Sequence, residues 1–261
     1  MKGVVLAGGL GTRLEPLTRV TNKHLLPVFD RPMIYYPIQT LINAGIREIL
    51  VVTGGQHAGG FLQLLRDGRE FAVDRLHYTY QKGEGGIAAA LALAEDFADG
   101  GRICVMLGDN LIEGTIRPAV GRFLRQRRGG RIIVKEVPDA ERFGVAAIAG
   151  DRVVSIEEKP RRPKSRYAVT GIYMYDARVF DVIRALRPSR RGELEITDVN
   201  NWYLRRGELH CEVLEGWWTD AGTIGSLHRA GNRVAETGAN RVDGPGTIVL
   251  GRKRSGRGRG A

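Results

Sequence analysis

Five short apolar runs mark the first half of the chain, separated by four segments with helical spacing. The runs are Gly3 to Ala7, Glu48 to Thr53, Leu76 to Tyr80, Ile103 to Leu107 and Arg131 to Glu136. Their length and β-branched content predict buried strands. Between them, Met33 to Ala44, Ala58 to Arg66, Ile87 to Phe97 and Ile116 to Arg127 predict helices. Alternation with short connections implies an α/β architecture, a mostly parallel central sheet with helices on both faces. Ligands of such sheets gather at the carboxyl ends of the strands.

The rhythm changes in the second half. Gly144 to Ile148 and Val153 to Glu157 flank Ala149-Gly150-Asp151-Arg152, which reads as a hairpin. Tyr167 to Tyr175 predicts another strand and Leu209 to Leu214 a further one. Helical patterns cover Ala177 to Leu186, Glu195 to Arg206 and Ile224 to Glu236. This portion is expected to be an insertion folded against the first half, forming the far wall of a cleft. From Gly238 to Ala261 the chain is rich in Gly and Arg, and a poorly ordered tail is expected there.

With 261 residues the chain is long enough for one large α/β domain. No run of about 18 apolar residues predicts a membrane span, and the N-terminal residues carry no leader pattern. Two cysteines, one inside the apolar run Ile103 to Leu107, make neither a disulfide framework nor a zinc spacing, as suits a reducing cytoplasm. The net charge of +11 attracts polyanions. It comes partly from the tail, which lacks aromatic residues to stack on bases, so nucleic acid is not the expected partner. Phosphorylated substrates suit the charge equally well.

The first strand runs directly into Gly8-Gly9-Leu10-Gly11-Thr12-Arg13. Glycines at a strand end let backbone N–H groups approach a phosphate closely and form an anion nest. Arg13 and Lys23 add fixed positive charge. The loop is not a dinucleotide fingerprint, since Leu14 and Glu15 stand where a third glycine is needed. Nor is it a Walker loop, since no Gly-Lys-Ser/Thr follows.

Three further sites carry chemistry. Asp109 in Leu107-Gly108-Asp109-Asn110 follows a buried strand, where it either caps its own turn or binds Mg²⁺. Asp220 in Trp218-Thr219-Asp220-Ala221 is either a helix cap or a second Mg²⁺ ligand, and two carboxylates plus phosphates and water suit that ion. In Ile156-Glu157-Glu158-Lys159-Pro160, the proline predicts an extended Lys159. That lysine is an exposed strand end or a phosphate ligand.

Leu6 to Arg13 followed by Asn22-Lys23-His24-Leu25-Leu26-Pro27-Val28 resembles the sugar-1-phosphate nucleotidylyltransferases, most closely the glucose-1-phosphate thymidylyltransferases. Arg142-Phe143-Gly144-Val145, Tyr167-Ala168-Val169-Thr170-Gly171 and Arg191 to Asn200 extend the likeness to about residue 235. The resemblance implies a Rossmann-like nucleotidyltransferase fold. It implies a catalytic domain over 1–237, with 1–135 mainly binding the nucleotide and 136–237 the sugar, and a 238–261 tail. It implies Mg²⁺-dependent transfer of a nucleotidyl group from dTTP, or alternatively UTP, to a sugar-1-phosphate such as glucose-1-phosphate, with release of pyrophosphate. By this likeness Leu6, Gly8, Gly9, Gly11, Thr12, Arg13, Gln81, Gly86 and Asp109 bind the nucleotide. Asn110, Gly144, Glu158, Lys159, Val169 and Trp218 bind the sugar phosphate; Trp218 is otherwise a core residue. Asp109 and Asp220 hold Mg²⁺, and Arg13, Lys23 and Lys159 complete the catalytic set. A cytoplasmic homo-oligomer is expected, with no membrane partner. A glycosyltransferase is the rival of a different class. His24 stands where the family usually has Gln, Ala89 replaces a Gln, and Thr219 and Ala221 replace Leu and Thr. The family's usual C-terminal helices have no counterpart here, so its feedback regulation is not carried over.

Overall fold

The computed structural model describes residues 1–241. The strands are β1 (Lys2–Ala7), β2 (Pro27–Val28), β3 (Arg31–Pro32), β4 (Glu48–Gly54), β5 (Arg75–Gln81), β6 (Ile103–Leu107), β7 (Asn110–Ile112), β8 (Gly130–Glu136), β9 (Gly144–Ala149), β10 (Arg152–Glu158), β11 (Tyr167–Tyr175), β12 (Leu209–Val213) and β13 (Trp218–Asp220). The α-helices are α1 (Tyr35–Asn43), α2 (Ala58–Leu65), α3 (Ile87–Ala92), α4 (Glu95–Ala98), α5 (Arg117–Arg125), α6 (Val179–Arg184), α7 (Ile196–Leu204) and α8 (Ile224–Thr237).

Nine strands form one sheet in the order β5-β4-β1-β6-β11-β8-β12-β10-β9. The period-two alternation of the strands sorts their side chains onto two faces. Val5, Ile49, Val51, Cys104 and Met106 meet α1, α2 and α5 on one face. Val4, Leu50, Val52, Ile103 and Val105 meet α3, α6 and α7 on the other. The expected parallel arrangement holds across β5-β4-β1-β6. Beyond β6 the sheet is mixed, because β11 enters antiparallel between β6 and β8. The second half is therefore not a separate wall laid on the first; its strands extend the same sheet. The helix expected over Ile87 to Phe97 is broken, because Leu93 and Ala94 make tight bonds to the carbonyls of Ala90 and Leu91.

The 149–152 hairpin forms as expected, with β9 and β10 paired through Ala149 and Arg152. Thr223 caps α8 by a capping box with Ser226, so Asp220 does not serve as its cap. Residues 242–261, which hold most of the expected tail, lie outside the described residues. Its first residues are tied down: Asn240 is buried, accepting from Thr40 Oγ1 at 2.7 Å and donating to the Tyr36 carbonyl at 3.0 Å.

Candidate active site

The glycine loop leaves the carboxyl end of β1, and two constraints fix its residue types. A Cβ at Gly8 would lie 2.6 Å from Gln81 Oε1, which comes from the end of β5. Gly11 sits at φ 73°, and a Cβ there would meet the Cβ of Lys23 at 2.9 Å. The loop thus rests on the Lys23 stem on one side and on Gln81 on the other. Its backbone can come close to a ligand only because no side chain intervenes.

Lys23 and Asp109 form the central ion pair. Lys23 Nζ donates to Asp109 Oδ2 at 2.5 Å, with side chains only 13% and 10% exposed. Burial alone would raise the Asp109 carboxyl, but the Lys23 charge prevails and holds it well below the usual carboxylate range. Asp109 Oδ1 accepts from Asn110 Nδ2 at 3.0 Å. Asn110 Oδ1 in turn accepts from the Trp218 indole at 2.6 Å and from the Gly171 amide at 3.3 Å.

Asp220 reaches this pair through a short antiparallel ribbon. Strand β13 pairs with β7 so that Asp220 lies opposite Asn110, and the Ala221 amide donates to the Asp109 carbonyl at 2.8 Å. The Asp220 carboxyl is raised, first by burial and then by the Asp109 charge. The Gly222 amide, which donates to Asp220 Oδ1 at 2.6 Å, together with Lys23 and Arg13, offsets part of that. A buried and a partly buried carboxylate that repel one another, with hard oxygen donors and no third acidic or His ligand among the described residues, fit Mg²⁺ completed by substrate phosphates and water.

His24 lies beneath the same loop. It is buried, and its Nδ1 donates to Asn22 Oδ1 at 2.8 Å. Burial first, then the neighbouring Lys23 charge, push its pKa down to about 3. The imidazole is neutral and adds no charge to the cation set.

A further group of site residues comes from β9, β10, β11 and α7. Thr197 Oγ1 donates to Glu158 Oε2 at 2.6 Å. Lys159 and Arg191 both stand 4.0 Å from Glu158 Oε1. The expectation of an extended Lys159 is overturned: its φ is +41°, while its amide donates to the Phe143 carbonyl at 3.0 Å. That tertiary bond outweighs the local preference imposed by Pro160. Val169, Gly171 and Tyr173 are alternate residues of β11 and line the site from one face of the strand, which changes register against β8 over this stretch. Trp218 serves both readings, since it belongs to the core, packs edge-on against Phe143 at 5.0 Å, and also lines the site.

Together these groups border two joined cavities. One, of about 320 Å³, is lined by Leu6, Gly8, Gln81, Gly86 and Asp109. The other, of about 540 Å³, is lined by Gly11, Thr12, Gly144, Glu158, Lys159, Val169 and Trp218. Gly9, Arg13, Lys23, Asn110 and Asp220 line both and mark the junction. Every residue singled out from the sequence thus borders one connected space. Glu84, Arg142, Arg191, Glu193, Glu195, Thr197 and Asn200 line it as well. Arg142 and the residues from Arg191 to Asn200 stand in motifs of the resemblance, but the charged run Arg191 to Glu195 has no helical or strand period to assign roles, and Glu84 lies in no motif. Glu193 and Leu194 lie against Gly86, where a Cβ would meet the Leu194 carbonyl at 2.7 Å.

A glycine loop at a strand end of a partly parallel sheet, an acidic pair against a lysine and two cavities that share lining residues are the features of a nucleotide-handling transferase. The sequence matches the family described as Nucleotidyl transferase over residues 2–237, so the chain belongs to that family of enzymes. Within it, the chain is similar to glucose-1-phosphate thymidylyltransferases. It is 50% identical over 234 residues to that of Actinoplanes sp., covering 88% of this chain and 77% of the other. It is 45% identical over 238 residues to that of Neisseria meningitidis, covering 90% and 82%. Its structure is similar, with a TM-score of 0.86 and 52% identity, to that of a Bacillus anthracis protein assigned as a glucose-1-phosphate thymidylyltransferase and solved with sucrose, covering 90% and 96%. The fold is shared, at 21% identity and a TM-score of 0.77, by a UDP-glucose pyrophosphorylase, covering 90% of this chain and 98% of the other.

Proposed function

We propose that the chain transfers a thymidylyl group from dTTP to glucose-1-phosphate, releasing pyrophosphate. The carrying observation is the meeting of the two cavities at Arg13, Lys23, Asn110 and Asp220, with Asp109 held beside them by Lys23. In this reading an oxygen of the sugar phosphate attacks the α-phosphorus of dTTP. A new P–O bond forms as the bond to the β-phosphate oxygen breaks, and pyrophosphate leaves.

The nucleophile is an anion near neutral pH, because a phosphate monoester has a second pKa of about 6. No general base is required, and the obstacle is the approach of two polyanions. The glycine loop and Arg13 grip the triphosphate, Lys159 the sugar phosphate, and Lys23 the charge between them. Asp109 and Asp220 would hold Mg²⁺, which when bound neutralises phosphate charge. Gln81 and Gly86 would meet the base, and Asn110, Gly144, Glu158 and Val169 the sugar.

A Gln offers one donor and one acceptor, which thymine and uracil match alike. The thymine methyl is worth only about 0.8 kcal/mol, so UTP is expected as a slower substrate. A homo-oligomer in a reducing cytoplasm belongs to the same reading, and Cys104 and Cys211 are free and buried. Among the described residues no helix is long and apolar enough to cross a membrane.

A matrix of nucleoside triphosphates against sugar-1-phosphates, scored by pyrophosphate release with Mg²⁺ and with a chelator, tests the proposal. dTTP with glucose-1-phosphate should react fastest, and the chelator should stop the reaction. Arg13 is exposed, so Arg13→Ala should fold normally while turnover falls about 10²–10³-fold. Release of no pyrophosphate from any pair would sink the reading.

A further inference from the structure

Asn200 is a fully buried residue in the middle of α7, and it lines the larger cavity. It stands three residues after Thr197, hence on the same helix face. The Tyr175 hydroxyl donates to its Oδ1 at 2.6 Å, while its Nδ2 has no partner among the described residues. Tyr175 itself is immobilised. Its ring stacks between Tyr173 at 6.1 Å and Tyr203 at 5.6 Å, and the Tyr203 hydroxyl is anchored on Asp176 Oδ1 at 2.9 Å. The orientation of the Asn200 amide is thus dictated from behind, and its donor end is left over.

An unpaired buried donor is costly and rare, which makes it informative at a cavity wall. The neighbouring Glu158 has the opposite character. Its carboxylate is an acceptor, one oxygen of which is already taken by Thr197. A sugar hydroxyl both donates and accepts, so carboxylate alone leaves half of its capacity unmet. Asn200 Nδ2 supplies the missing donor type within the same cavity.

We infer that Asn200 selects the sugar: its Nδ2 donates to one hydroxyl of the bound sugar phosphate, directly or through one water, and Tyr175 is the positioning residue that fixes which end of the amide is presented. The inference rests on the reading that this cavity takes the sugar phosphate.

The test measures pyrophosphate release from dTTP with glucose-1-phosphate and with its series of monodeoxy analogues. Wild type, Asn200→Ala and Tyr175→Phe are compared, with a thermal melt of each. Asn200→Ala should raise KM for glucose-1-phosphate roughly three- to tenfold, the loss of one hydrogen bond, and leave KM for dTTP unchanged. One analogue that the wild type disfavours should no longer be disfavoured by the variant. Tyr175→Phe, which keeps ring and volume, should show the same loss of discrimination to a smaller degree, and it carries the test if Asn200→Ala does not fold. Variants that discriminate among all analogues as the wild type does, or that raise both KM values together, overturn the inference and leave the proposed reaction standing. A wild type that releases no pyrophosphate with any sugar phosphate overturns both.

Discussion

Asp109 and Asp220 carry opposite perturbations although they share one site. Lys23 lies against the first, while in the second desolvation and then repulsion from Asp109 outweigh the nearby donors and cations. An acid whose folded pKa is raised costs stability at every pH above its unfolded pKa. Asp220→Asn keeps an oxygen for the Gly222 amide and removes that cost. It should therefore raise Tm by about 2–4 °C without metal. Mg²⁺ should raise the Tm of the wild type and not of the variant; a lower metal-free Tm for Asp220→Asn would contradict the account. His24 gives a pH-dependent counterpart. Its folded pKa of about 3 lies below the unfolded value of 6.5, so its stabilisation is complete above pH 6.5 and is lost as pH falls towards 3. His24→Gln should remove this loss. Between pH 7.5 and 4.5 the wild type should lose on the order of 2 kcal/mol more than the variant in urea unfolding. Parallel pH profiles for the two proteins would refute it.

At the scale of elements, the β7–β13 ribbon and the start of α8 deliver Asp220. The Thr223–Ser226 capping box fixes where α8 begins, three residues beyond the carboxylate. Thr223→Ala should cost about 1 kcal/mol in chemical unfolding. Because the fraying lies next to the Asp220–Gly222 turn, kcat should also fall while KM for dTTP stays the same. A stability loss without any change in kcat would separate the cap from the site. Strand β11 works in a similar way: Val169, Gly171 and Tyr173 are alternate residues of the strand, so its period of two turns all three toward the cavity.

For the whole molecule, the continuous nine-stranded sheet is the governing fact. Cavity-lining residues come from the ends of β1 and β5 and from β9 to β11, all in that sheet, and from the separate β7–β13 ribbon beside it. Removing residues 136–237 would strip β11 from β6 and expose the edge of the parallel half. Unfolding should be one transition. All three tryptophans, Trp202, Trp217 and Trp218, lie in the second half, while the parallel strands β1, β4, β5 and β6 lie in the first. Tryptophan emission and far-ultraviolet circular dichroism should therefore report coincident urea midpoints. An earlier fluorescence transition would divide the molecule where the sheet does not.

Alternating apolar runs, the glycine cluster after the first strand and the charged positions from Arg13 to Asp220 were readable in the chain itself, because burial period and backbone freedom are local properties of residue types. The parallel half, the 149–152 turn and the chemistry-bearing side chains followed from them. Four features were decided only by folding. Strand β11 inserts between β6 and β8, since a strand's own pattern does not name its partner. The backbone of Lys159 is turned by a bond to Phe143 that lies sixteen residues earlier in the chain. The opposed titration of Asp109 and Asp220 depends on which of them meets Lys23. The leftover donor of Asn200 depends on a tyrosine from another strand. Each rests on contacts between segments far apart in sequence, and the energies of such contacts exceed the local preferences that a linear reading can weigh.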